Sequence, residues 1–182
     1  MSADGHMVAY MDATAVLINL ARRPQEAAEM LRGKLEPELL NAHPHHDNSI
    51  AWLLWHAARE IDVQLAALTG NESVWVAEGY AEKFGLDVEP GDLGYGHTPE
   101  QARAIVVHDG DLLIDHLSAV VEAQVAFIAS LSETDLARII DERWDPVVTL
   151  GVRLVSISAD ALEHVAQATY VAGMGDQAFE AR

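Results

Sequence analysis

Large apolar side chains and alanines recur three and four positions apart along much of this chain, the spacing of one face of an α-helix. Val16, Leu17 and Leu20, followed by Ala27, Met30 and Leu31, mark a first helix over residues 8–32. Pro24 interrupts it, so the helix either restarts there with proline in its first turn or kinks. Ser49 is suited to cap a second helix, which runs to about Leu68 and ends at Gly70-Asn71. Leu112, Leu113, Leu117, Val120, Val121, Val125 and Ile128 form an amphipathic stripe in residues 111–131, after a break at Asp109-Gly110. Thr149 caps a last helix to about Gly173.

Shorter pieces lie between. Trp75, Tyr80 and Phe84 suggest a short helix over 74–84, followed by the long loop GLDVEPGDLGYGH. Thr98-Pro99-Glu100-Gln101 reads as a helix start, with a capping threonine and proline in the first turn. SETDLARII predicts a further short helix, and WDPVVTLG an irregular or briefly extended stretch. No segment alternates apolar and polar residues convincingly. The fold class expected is therefore all-α: an antiparallel four-helix bundle with short extra helices, as a single domain over residues 1–182.

Charge narrows the partners. The net charge is −18, from 11 basic and 29 acidic residues, and no Lys/Arg cluster offsets it locally. Nucleic acid and anionic membrane surfaces are both disfavoured. There is no cysteine, so disulfides, thiolate-ligated zinc and a protein thiol nucleophile are excluded. No secretory pattern is visible, and the apolar stretch AVVEAQVAFIASL is broken by Glu and Gln. A cytoplasmic protein is expected.

The nine histidines are the candidate chemistry. His43, His45 and His46, in HPHHD, read as a solvated turn; His6 sits near the N-terminus; His116 reads as a packed, hydrogen-bonded histidine. His97, in GYGHTPE, either lines a cleft or is a turn residue. His56 is different, because it stands in the apolar run SIAWLLWHAARE on one helix face with Leu53, Glu60 and Val63. On the last helix Asp160 precedes His164 by four residues, on a face shared with Ile157, Gln167 and Val171. That face is expected to look inward, so Asp160 needs a cation or donors. A divalent metal on His56, Asp160 and His164 would supply one, but the same spacing also serves ordinary hydrogen bonds.

At these residues the chain resembles the DinB-like superfamily of bacterial metal-binding four-helix bundles, whose members include mycothiol and bacillithiol S-transferases and mycothiol-dependent maleylpyruvate isomerase. The matching stretches are NSIAWLLWHAAREIDVQ (48–64), GYGHTPEQ (94–101), WDPVVTLGVRLVS (144–156) and DALEHVAQATYVAG (160–173). The resemblance implies metal ligation by His56, Asp160 and His164, in the acid-plus-histidine version of the last-helix motif. It departs from related sequences at Ala166, where they carry Gly, and at Ala172, where they carry Arg. The loss of that arginine would remove a substrate contact. Zinc is the first expectation for the metal, with nickel or manganese as alternatives.

The function expected from the resemblance is a metal-dependent thiol S-transferase joining a low-molecular-weight thiol, mycothiol first, to an electrophile. A non-catalytic metal-binding stress protein and a thiol-dependent isomerase are the alternatives. Glu60 and His97 are the expected catalytic side chains, and Tyr95 and Gln167 the expected contacts to the thiol cosubstrate. Glu60 could equally be a ligand, a partner of a ligand, or an exposed helix-end charge. The partners expected are small molecules, and a homodimer is left open.

Overall fold

The computed structural model describes residues 12–44 and 46–179. Residues 8–11 of the expected first helix, His6 and His45 lie outside them. Four long helices dominate: α1 (Ala13–Glu29), α3 (Ile50–Thr69), α7 (Gly110–Ala129) and α9 (Leu150–Gly173). Between them come α2 (Pro37–Leu40), α4 (Val74–Ala77), α5 (Tyr80–Phe84), α6 (Pro99–Ala104) and α8 (Glu133–Leu136).

The helix starts are set by polar caps. Asp12 accepts from the Ala15 amide at 2.8 Å, Ser49 from Trp52 at 3.1 Å and Thr149 from Val152 at 3.3 Å. Thr98 and Gln101 make a reciprocal capping box. α1 neither restarts nor ends at Pro24, which is buried inside it. α3 and α9 pack together, as do α3 and α7, α1 and α7, and α1 and α9. α1 and α3 therefore lie on one diagonal of the bundle. Leu17, Leu54, Leu117 and Leu154, one from each long helix, belong to one core.

Two expectations need correction. The helix expected over 74–84 is two single turns, because Gly79 between them takes φ +70°. SETDLARII is helical only to Leu136, where the Ser132–Asp135 capping box stabilises one turn. The β-branched Ile139 and Ile140 then enter β1 (Ile139–Asp141), antiparallel to β2 (Val148–Thr149), so a small two-stranded ladder joins the all-α fold.

The first half of α3 is largely apolar all round because it is covered all round. Every residue from Ile50 to Arg59 is buried. α7 and α9 cover one side, and the 70–109 connection covers the other with Trp75 and Tyr80. A buried polar knot pins that connection. Asp62 accepts from the amides of Val74 at 2.7 Å and Trp75 at 2.9 Å, and pairs with Arg59 at 2.9 Å. Arg59 also donates to the carbonyl oxygens of Asp92, at 3.1 Å, and Pro90, and lies 4.7 Å above the Trp75 ring.

His116 packs against this knot, among the rings of Trp75, Tyr80 and Phe84. The expected hydrogen bond is absent: neither ring nitrogen has a partner among the described residues. Burial, with Arg59 as a lesser cause, pushes His116 down to about 3, so it is held neutral. A depressed histidine makes stability fall as pH drops from its ordinary value of 6.5 toward 3, since only the unfolded chain takes up the proton. This site alone should contribute a slope of about 1.4 kcal/mol per pH unit in that window. His116→Phe should flatten the stability–pH curve there, as read by urea unfolding at several pH values; an unchanged slope would remove His116 as its source.

Candidate metal centre

The seam between α3 and α9 brings four polar side chains together. One potential ligand atom from each of His56, Glu60, Asp160 and His164 lies within 4.8 Å of all the others. His56 and Glu60 are one turn apart on α3, with Nε2 4.0 Å from the carboxylate; Asp160 and His164 are one turn apart on α9, at 3.8 Å. The two imidazole rings lie 4.5 Å apart, centre to centre, nearly edge to face.

Partners outside the cluster orient both imidazoles. His56 Nδ1 is hydrogen-bonded to the Leu93 carbonyl and must be the donor, since a carbonyl only accepts. The His164 Nδ1 lies 3.1 Å from Gln167 Oε1 and donates to it in the same way. Each ring therefore keeps an Nε2 lone pair for the cluster. Burial lowers the His56 pKa, opposed by the Leu93 carbonyl.

Glu60 is not the exposed helix-end charge that was one reading of it. Its side chain is 13 % exposed. One carboxylate oxygen accepts from Gln64 Nε2 at 3.0 Å, and Gln64 in turn accepts from Arg153 at 3.0 Å. The other oxygen, Oε2, is buried and accepts no hydrogen bond from any donor among the described residues, its neighbour being the Asp160 carboxylate. Burial, reinforced by the neighbouring Asp160 carboxylate, pushes Glu60 up to about 8. Asp160 itself is less enclosed than expected: its side chain is 42 % exposed, at the solvent edge of the seam.

The remaining candidates are placed differently. Gln167 stands behind His164 as its Nδ1 partner. Tyr95, an expected contact to the thiol cosubstrate, is 90 % exposed and lies outside the four-residue cluster. It sits between Gly94 and Gly96, at φ +90° and +75°. His97 is neither a simple turn residue nor part of the cluster. Its Nδ1 accepts from Trp52 Nε1 at 3.2 Å, and its Nε2 donates to Asp92 at 3.1 Å.

Sequence reasoning missed several contributors. Trp52 stacks on His56 at 4.5 Å and 24°, and its position one turn earlier on α3 was a usable signal. Gly94 presses against His56, where an added Cβ would come within 3.1 Å of Nδ1. Within HPHHD, His46 is exposed, as expected of a solvated turn. His46 helps to line a cavity of about 820 Å³ beside His164, with Leu53, Ala166, Gln167, Tyr170 and Val171.

Comparisons with known proteins agree with this architecture. A family model described as the DinB superfamily matches residues 19–168. A crystal structure described as a conserved protein from Enterococcus faecalis is 35 % identical and superposes with a TM-score of 0.81. The match covers 90 % of this chain and 96 % of that one. No curated protein matches the chain.

Proposed function

The chain belongs to the DinB superfamily, and from that premise we propose that it is a metal-dependent transferase joining a low-molecular-weight thiol, mycothiol first, to an electrophile. The observation that carries the metal half is Glu60 Oε2, a buried oxygen that no donor satisfies, facing two imidazoles whose Nε2 lone pairs are free. A buried carboxyl group with no donor to satisfy it is costly to ionise, and Glu60 instead holds a proton that a cation would displace. Mixed imidazole and carboxylate donors suit zinc, and also nickel or manganese.

When bound, the ion supplies positive charge that favours the thiolate form of an incoming thiol, whose pKa is otherwise about 8.5. The protein's own part is to hold and to shape. His56 and His164 present Nε2, and Asp160 brings negative charge at the open edge. In this reading Glu60 carries a proton, which its raised pKa supports. The cavity beside His164 has room for an electrophile. No cysteine of the chain competes for it. With a net charge of −18, small molecules are proposed as partners in preference to nucleic acid.

A second reading, silent metal binding, is favoured by the donor count. Four protein donors can fill a tetrahedral zinc site, leaving no open position, whereas six-coordinate nickel or manganese would keep two. Incubating metal-loaded protein with mycothiol and a panel of electrophiles separates the readings. Adduct formation that stops on chelation is expected. Rearrangement with thiol recovered would indicate an isomerase, and no reaction across the panel would favour silent binding.

Metal binding should also displace a proton. Glu60, pushed up to about 8, carries one at pH 7 in the metal-free protein, and a cation competes with it. Calorimetry in buffers of differing ionisation enthalpy should count about one proton released per ion, and Glu60→Gln should remove it. Equal release from both proteins would take Glu60 out of the cluster.

A further inference from the structure

We infer that Asp92, His97 and Trp52 form a clamp that fixes the orientation and tautomer of His56, and that His97 is a positioning residue and not an acid or base. The inference rests on the reading of the cluster as a metal centre.

The clamp is a closed circuit of contacts. His97 Nε2 lies 3.1 Å from both oxygens of Asp92. Asp92 also accepts from the Gly94 amide at 2.8 Å, which folds residues 92–94 into a tight turn. That turn presents the Leu93 carbonyl to His56 Nδ1. On the other side, Trp52 Nε1 donates to His97 Nδ1, and the Trp52 ring lies nearly parallel to His56. The His97 ring itself stacks on Trp55 at 5.8 Å and 22°.

Two consequences follow for His97. Both its nitrogens are engaged, and its side chain is 8 % exposed, so neither nitrogen is free to take a proton from a substrate. Its tautomer is set as well, because a nitrogen accepting from an indole N–H must be the unprotonated one. His97 thus acts through Trp52 and the 92–94 turn. Together these hold His56 with Nδ1 protonated and Nε2 aimed at Glu60. Gly94 completes the fit: a Cβ there would meet Trp55, His56 and Trp52 at 3.0–3.1 Å, on a backbone at φ +90°.

Partners that orient a metal-binding histidine are worth about 10–100-fold in metal affinity. The test compares His97→Leu, which removes both hydrogen bonds, with His97→Gln, which can still accept from Trp52 and donate to Asp92. Two quantities are read: zinc affinity by competition with a chromophoric chelator, and the His56 tautomer in the metal-free protein by 15N NMR. Wild type should show one His56 tautomer, with the proton on Nδ1. His97→Leu should show a mixture and bind zinc about 10–100-fold more weakly, and His97→Gln should restore both. If His97→Leu does not fold, Trp52→Phe carries the test, since it removes the N–H and keeps an aromatic ring, though a smaller one, against His56. Wild-type tautomer and affinity in His97→Leu, or in Trp52→Phe where that variant stands in, would overturn the clamp. So would a folded His97→Gln as impaired as His97→Leu. Failure of wild type to bind zinc would count against the metal centre, while the tautomer comparison would still decide the clamp.

Discussion

Arg59→Met should destabilise the protein by about 3–5 kcal/mol, the usual cost of leaving one member of a buried ion pair behind. Arg59 and Asp62 have side chains 0 % and 1 % exposed. Burial pulls the Arg59 guanidinium down and pushes the Asp62 carboxyl up, and their pairing opposes both shifts. Methionine fills much of the same volume but leaves Asp62 without its cation, and it frees the carbonyls of Pro90 and Asp92. In a chain of 182 residues the loss should appear as a fall in Tm of roughly 6–20 °C. Arg59→Met combined with Asp62→Asn should recover part of it. The asparagine removes the stranded charge and keeps an oxygen for the Val74 and Trp75 amides. A single variant within about 1 kcal/mol of wild type would show that the knot is not the fastening described.

Zinc at a hundredfold excess over its Kd should stabilise the folded protein by about 2.7 kcal/mol, a Tm rise of roughly 5–10 °C. His56→Ala and His164→Ala should each abolish most of that rise. His46→Ala should keep it, because His46 lines the neighbouring cavity and is not among the four clustered side chains. The effect should weaken on acidification, as protonated imidazole offers no lone pair. Thermal denaturation with and without metal measures all three variants. The same rise in wild type and in both cluster variants would place the ion elsewhere.

The contrast between these two sites marks what a sequence can disclose. The long helices were legible because period and caps are local: Ser49, Thr98 and Thr149 each announce a helix that the structure contains. The pairing of Asp160 with His164 followed from one turn of helix. Nothing in the sequence sets Arg59 and Asp62 apart from other charges on a helix. They are buried only because residues 70–109 fold across α3, a long-range event with no local signature. The Leu93 carbonyl belongs to the backbone, which every residue type shares. Gly94 could be seen as a turn glycine, but its contact with His56 could not. The β1–β2 ladder pairs three residues with two, too few for an alternating pattern.

The seam between α3 and α9 joins parts of the chain that are distant in sequence, His56 and His164 being 164 − 56 = 108 positions apart. Either helix alone offers only one turn's worth of donors, an imidazole and a carboxylate. An unfolded chain that gathered all four would have to close a loop of that length, against an entropy of about 4 kcal/mol beyond any fixed cost. An ion of modest affinity would therefore pass over the open chain and select the one in which α9 has already docked. Occupancy would then report tertiary structure, because the site is complete only once α9 has docked against α3.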